Sequence, residues 1–74
     1  MVTGKDLFRA VGYIEKVDDG AALVYEQLTT GAQIILDRRR RAVFATLSGQ
    51  PCGLSFGEIQ AAACRIDEMG VLHD

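Results

Sequence analysis

The sequence predicts an α+β fold: an N-terminal helix, a small antiparallel sheet of two or three strands, and a C-terminal helix packed on that sheet. Three observations predict it. Ser55 and Glu58 form an S-x-x-E capping box ahead of an apolar stripe of helical period. Two β-branched or aromatic-rich runs of strand length, 32–37 and 41–47, flank a short charged turn. Thr3 and Asp6 repeat the capping spacing near the start of the chain.

Taken in order, the first helix begins at Thr3 and buries Leu7, Phe8, Val11 and Ile14. Gly12 weakens its middle by about 1 kcal/mol. Asp18 and Asp19 follow, and the negative end of a helix dipole disfavours them. The helix is therefore expected to stop near Val11 or to fray before Asp18. Residues 21–28 admit two readings. Asp19-Gly20 and Thr30-Gly31 suit hairpin turns and would make the segment a third strand. The same segment also fits a short helix capped by Asp19, with Val24 and Leu28 on one face. The strand is the reading carried forward.

In the 32–37/41–47 hairpin, Ile34, Leu36 and Phe44 are expected on the core face, with Ile35 and Val43 on the other. Ser48-Gly49-Gln50-Pro51 has the punctuation of a loop. The C-terminal helix is expected over 56–69 and ends at Gly70. Phe56, Ile59, Ala63 and Ile66 are expected to meet the sheet, while Glu58, Arg65 and Glu68 lie off the apolar stripe.

Residues 1–74 make a single small domain on this reading. Apolar residues are 49% and charged residues 24% of the chain, a globular composition that argues against disorder. A chain this short buries only about 60–65% of its unfolded surface. With three phenylalanines, two tyrosines and no tryptophan, the core has few large anchors. Self-association is the simplest supplement, and a homodimer stays open. Cys52 and Cys64 are twelve apart; neither a secretory leader nor an apolar run of about 20 residues is seen. The expectation is a cytoplasmic protein without membrane contact, whose reduced cysteines serve as small packing residues.

No catalytic constellation is legible. His73 is the one histidine and stands next to the last residue, so it is poorly placed to serve a nucleophile. Two cysteines and that histidine do not make a zinc set. Gly49, Gly53 and Gly57 precede a helix, but no lysine follows them as in a phosphate-binding loop. Asp67 and Glu68 are adjacent and diverge on a helix. The expectation is a non-enzymatic protein with no cofactor and no metal.

The feature that points to a partner is Arg38-Arg39-Arg40-Arg41, half of the eight basic residues. The rest of the chain has four basic against ten acidic residues, a net of −6. Three roles compete for this run. It can contact another protein, since arginine is enriched at interface hot spots. It can bind nucleic-acid phosphates through its forked donors, although an acidic body opposes that and four contacts bind weakly at physiological salt. It can also be a solvated turn that blocks edge pairing. Protein binding is the reading preferred, with Arg38, Arg39, Arg40 and Arg41 as the binding residues and nucleic acid as the alternative.

The Leu28-Thr29-Thr30-Gly31 segment, the 32–47 hairpin and the cap at Ser55 together resemble small phage head–tail joining proteins. The likeness is one of architecture over about half the chain. In size and acidity the chain also resembles small phage-encoded inhibitors of host complexes. These resemblances imply a regulatory inhibitor or adaptor of a larger complex, or a phage structural protein.

Overall fold

The computed structural model describes residues 2–69. It has helix α1 (Gly4–Ala10), strands β1 (Tyr13–Asp18), β2 (Ala22–Gln27), β3 (Gln33–Asp37), β4 (Ala42–Leu47) and β5 (Gln50–Pro51), and helix α2 (Phe56–Glu68). The expected α+β order holds, but the sheet has five antiparallel strands in the order β1-β2-β3-β4-β5 instead of two or three. No helix among the described residues is long and apolar enough to cross a membrane.

Both capping boxes form. Asp6 N–H donates to Thr3 Oγ1 (3.2 Å) while Thr3 N–H donates to Asp6 Oδ2 (3.1 Å). Ser55 and Glu58 repeat the exchange at 3.2 and 2.7 Å. Each box satisfies two amides that a helix start otherwise leaves free. The Gly70 stop expected for α2 lies outside the described residues.

β1 stands where the sequence leads one to expect only the fraying end of α1. Val11 caps α1, and Gly12, at φ +87°, turns the chain into Tyr13. A bulge between Glu15 and Val17 shifts the register of β1 on β2. Ile14 and Val17 thereby lie on one face although they are three apart, a spacing that imitates a helix. Residues 22–27 form the strand reading, not the helix. β5 falls where the loop at Ser48-Gly49-Gln50-Pro51 is expected. The two-residue Ser48-Gly49 turn has φ +53° and +78°, the geometry of a tight hairpin. It brings Gln50 and Pro51 beside Leu47 and Thr46.

Both helices cover one face of the sheet. Phe8, Tyr13, Leu23, Tyr25, Ala32, Ile34, Leu36, Ala61 and Ala62 form the core between them. Phe8 stacks on Tyr25 with ring centroids 3.8 Å apart, and Tyr13 meets Phe8 edge-on at 6.0 Å. Phe44 was expected in this core and is not. Asp37 pairs with Ala42 across the four-residue turn, which sets Leu36 opposite Val43 and Ile35 opposite Phe44. Side chains alternate along a strand, so Val43 faces the core and Phe44 the uncovered side.

The face of α2 also differs from expectation. Phe56 is 91% exposed, Ile59 is 47% exposed, and Ala63 is exposed; of the four expected contacts only Ile66 packs against the core. The helix instead turns Glu58, Ala61, Ala62, Arg65, Ile66 and Met69 inward. Glu58 and Arg65 face inward because buried tyrosines need them. Tyr13 Oη donates to Glu58 Oε2 (2.6 Å), and Arg65 Nε donates to Tyr25 Oη (3.1 Å). A buried hydroxyl without a partner is costly, and these bonds remove that cost. Gly4 lets α1 and α2 touch, since a Cβ there would lie 2.7 Å from Arg65 Cα.

Candidate interaction surface

The four arginines occupy the tip of the β3–β4 hairpin, between Asp37 and Ala42. Asp37 shapes the turn: its Oδ1 accepts from Arg39 N–H (3.0 Å) and Arg40 N–H (3.1 Å). This is the local bond that favours aspartate at the first turn position. Arg41 completes it at φ +52°.

The arginines have different surroundings. Arg38 folds back onto the protein. Its N–H donates to Ala21 O (2.9 Å) and Nη1 to Gly20 O (3.0 Å), with Asp18 Oδ1 3.8 Å away. Its Nε and Nη2 both approach Met69 Sδ at 3.2 Å, so it ties the β1–β2 turn to the end of α2. Arg38 and Arg41 also line a cavity of about 60 Å³ with Leu36, Asp37, Ala42, Ile66 and Met69. Arg39 and Arg40 are exposed. Arg40 Nε is 3.8 Å from Asp37 Oδ2, yet its side chain remains 77% exposed. Of the expected binding residues, Arg39 and Arg40 present their charge outward, and Arg38 has a structural task.

Beside this tip lies a surface that is not evident in the sequence. On the side of the sheet without helices, Val17 is opposite Val24, Val24 opposite Ile35, and Ile35 opposite Phe44. Directly opposed side chains are about 4.5–5.5 Å apart, so these four make one continuous apolar row across four strands. Val17 and Phe44 are 46% and 41% exposed; Val24 and Ile35 are partly so. Ala22, Asp37 and Ala42 separate the row from the turns at one end. Ile14, Glu26, Gln33 and Thr46 border it at the other, where Lys16 Nζ reaches Glu26 Oε2 at 3.9 Å. The signal lay in the β-branched residues on both faces of the hairpin, but the row appears only once the register is known.

A second polar cluster lies on the covered side. Tyr25 Oη donates to Glu15 Oε1 (3.1 Å), and Arg65 approaches Glu15 at 3.9 Å and Glu68 at 3.7 Å. Glu68 Oε2 accepts Gly4 N–H at 2.9 Å. Burial raises the Tyr25 hydroxyl pKa, with Glu15 reinforcing and Arg65 opposing. Burial would raise Glu58, but bonds from Tyr13 and Ser55 outweigh it and hold the carboxyl below its usual value. Burial and the Glu58 charge together push the Tyr13 hydroxyl well up. A cleft of about 170 Å³ beside this cluster is lined by Lys5, Arg9, Tyr13, Ile14, Glu15 and Tyr25. Its tyrosines and Glu15 are bonded within the protein, an arrangement that braces the fold.

Both cysteines are free; Cys52 is exposed, so it is not the packing residue expected, and Cys64 is partly covered. His73 lies outside the described residues. No group of histidine, cysteine and carboxylate side chains suited to a metal occurs among the described residues. Comparison of the chain with protein-family models, curated proteins and solved structures gave no match.

Proposed function

We propose that this protein is a non-enzymatic protein-binding module whose contact surface joins the Arg39–Arg40 turn to the uncovered face of the sheet. The observation that carries this reading is the unbroken apolar row from Val17 to Phe44 beside exposed guanidinium groups. Apolar area supplies association free energy, and adjacent charge selects partner and orientation. Arginine beside an apolar centre is the combination enriched at hot spots. The polar groups of the covered face support a non-catalytic role, because their hydrogen bonds brace α1, α2 and the sheet.

The test compares proteins retained by the immobilised wild-type chain with those retained by Arg39→Glu/Arg40→Glu and by Ile35→Lys. Phe56→Ser, altered on the opposite side, is the control. Both surface variants should lose the same partners, and partners re-bound in purified form should bind at least about tenfold more weakly. An unchanged bound set from both variants would refute the reading. A duplex-DNA mobility shift at about 50 mM salt that Arg39→Glu/Arg40→Glu abolishes would replace it with nucleic-acid binding.

A further inference from the structure

We infer that Met69 is a site of reversible oxidation, at which the new sulfoxide oxygen is received by the Arg38 guanidinium and tightens the joint between the arginine turn and the end of α2. Arg38 lies outside the proposed contact surface, so the two readings stand or fall separately. Donors, room and access all point to this site.

The donors come first. Arg38 Nε and Nη2 both lie 3.2 Å from Met69 Sδ. A guanidinium fork matches oxygen acceptors that carry negative charge, whereas a thioether sulfur is a weak acceptor. The fork is held there by other contacts. Nη1 donates to Gly20 O at 3.0 Å and lies 3.8 Å from Asp18 Oδ1. Met69 caps the C-terminal end of α2, where the helix dipole also favours a cation. Two strong donors are thus aimed at a poor partner.

The cavity supplies the room. Arg38 and Met69 share the walls of the space of about 60 Å³ with Leu36, Ala42 and Ile66. A single water needs about 10–15 Å³ on this measure, so one added oxygen atom fits without moving the apolar walls. Met69 is partly exposed, which lets a peroxide reach the sulfur.

Hydrogen peroxide is the oxidant the chemistry requires. One N–H releases its sulfur lone pair, which attacks a peroxide oxygen as the O–O bond breaks. That oxygen stays on sulfur, and its proton passes to the departing oxygen, which leaves as water. Sulfur loses two electrons and the peroxide gains them. The sulfoxide bond is polarised toward oxygen, so the Arg38 donors exchange a weak acceptor for a strong one. Methionine oxidation usually disrupts packing, because a polar oxygen is taken from water without a partner. Here the partner is already in place. Sulfoxide reductases reverse the change. Arg38 N–H also bonds to Ala21 O, so the modification tightens the β1–β2 turn, the β3–β4 turn and α2 at one point.

The test uses the full chain carrying Cys52→Ser and Cys64→Ser, since both thiols are free to consume oxidant. It is treated with hydrogen peroxide and mapped by peptide mass spectrometry. Met69 should be converted to the sulfoxide and restored by sulfoxide reductases. The melting temperature of the oxidised form should lie within about 2 °C of the reduced form, or above it. With Arg38→Ala added, the same oxidation should lower it by at least about 5 °C, because the oxygen then lacks its donors. Met69→Leu subtracts any contribution from the other methionine, Met1. Nitrogen–proton NMR reads the contact with Arg38 intact: its Nε–H signal should shift on oxidation and exchange more slowly with solvent. An oxidation loss as large with Arg38 as without it overturns the inference. So does an Arg38 Nε–H signal indifferent to oxidation, or a Met69 that excess peroxide leaves unchanged.

Discussion

Replacing Gly4 by alanine tests the packing that fixes both helices on the sheet. An added Cβ would sit 2.7 Å from Arg65 Cα and 2.7 Å from its backbone nitrogen. Carbon atoms rest at about 3.5–4.0 Å, so α1 and α2 would have to part by about 1 Å. Neither side yields easily. The obstacle is main chain, and Arg65 is held by Tyr25, Glu15 and Glu68. Overpacking of this kind costs about 1–3 kcal/mol, and two main chains in contact put it at the upper end. Alanine returns up to about 1 kcal/mol through helix propensity, only part of which applies in the first turn. The net loss is about 2 kcal/mol. Against a whole-chain stability of roughly 4–11 kcal/mol, that lowers the melting temperature by about 8–16 °C. Thermal and urea unfolding followed by circular dichroism measure it. Gly53→Ala, where an added Cβ meets nothing within 4 Å, is the control and should be nearly silent. A Gly4→Ala chain as stable as the wild type would refute the close contact and the placement of α1 built on it.

Two further predictions concern α2. Tyr13→Phe should cost about 1 kcal/mol, and a double-mutant cycle with Glu58→Gln should show coupling between the two. Because folding holds Glu58 below its ordinary value of 4.5, its contribution is complete above that pH and is lost as pH falls through the lower folded value. Urea unfolding across pH 2–6 should therefore show an acid limb that Glu58→Gln flattens. Phe56→Ser should change stability by no more than about 0.5 kcal/mol, because the ring is 91% exposed. A loss of several kcal/mol would restore it to the core.

Legibility in the sequence followed the range of the interactions. The caps at Thr3 and Ser55 and the turn at Arg38–Arg41 depend on residues three or four apart, and each lies where the sequence suggests. β1 was hidden by its own bulge, which sets Ile14 and Val17 at helical spacing. The face of α2 was misread for a chemical reason. Hydropathy scores Glu58 and Arg65 as outward residues and cannot see that Tyr13 and Tyr25, more than thirty residues away, need them. The arginine run was conspicuous, but the division of labour within it was not. Arg38 is withdrawn by Gly20 and Met69, which no local pattern connects to it. The apolar row required a register counted through three successive strand pairings, so no single segment announced it.

The strand order has a consequence for how this chain reaches its native state. Each strand is bonded to its neighbour in sequence, so the sheet assembles entirely through short loop closures. α2 is different. Its bonds reach Gly4, Tyr13 and Tyr25 across 64, 45 and 40 residues. Those closures carry the largest chain-entropy cost and become favourable only when the sheet already offers a surface. The meander is therefore expected to form first and α2 to close on it last. Until α2 closes, Phe8, Tyr13 and Tyr25 lack their cover, and the half-built sheet presents apolar side chains on both faces.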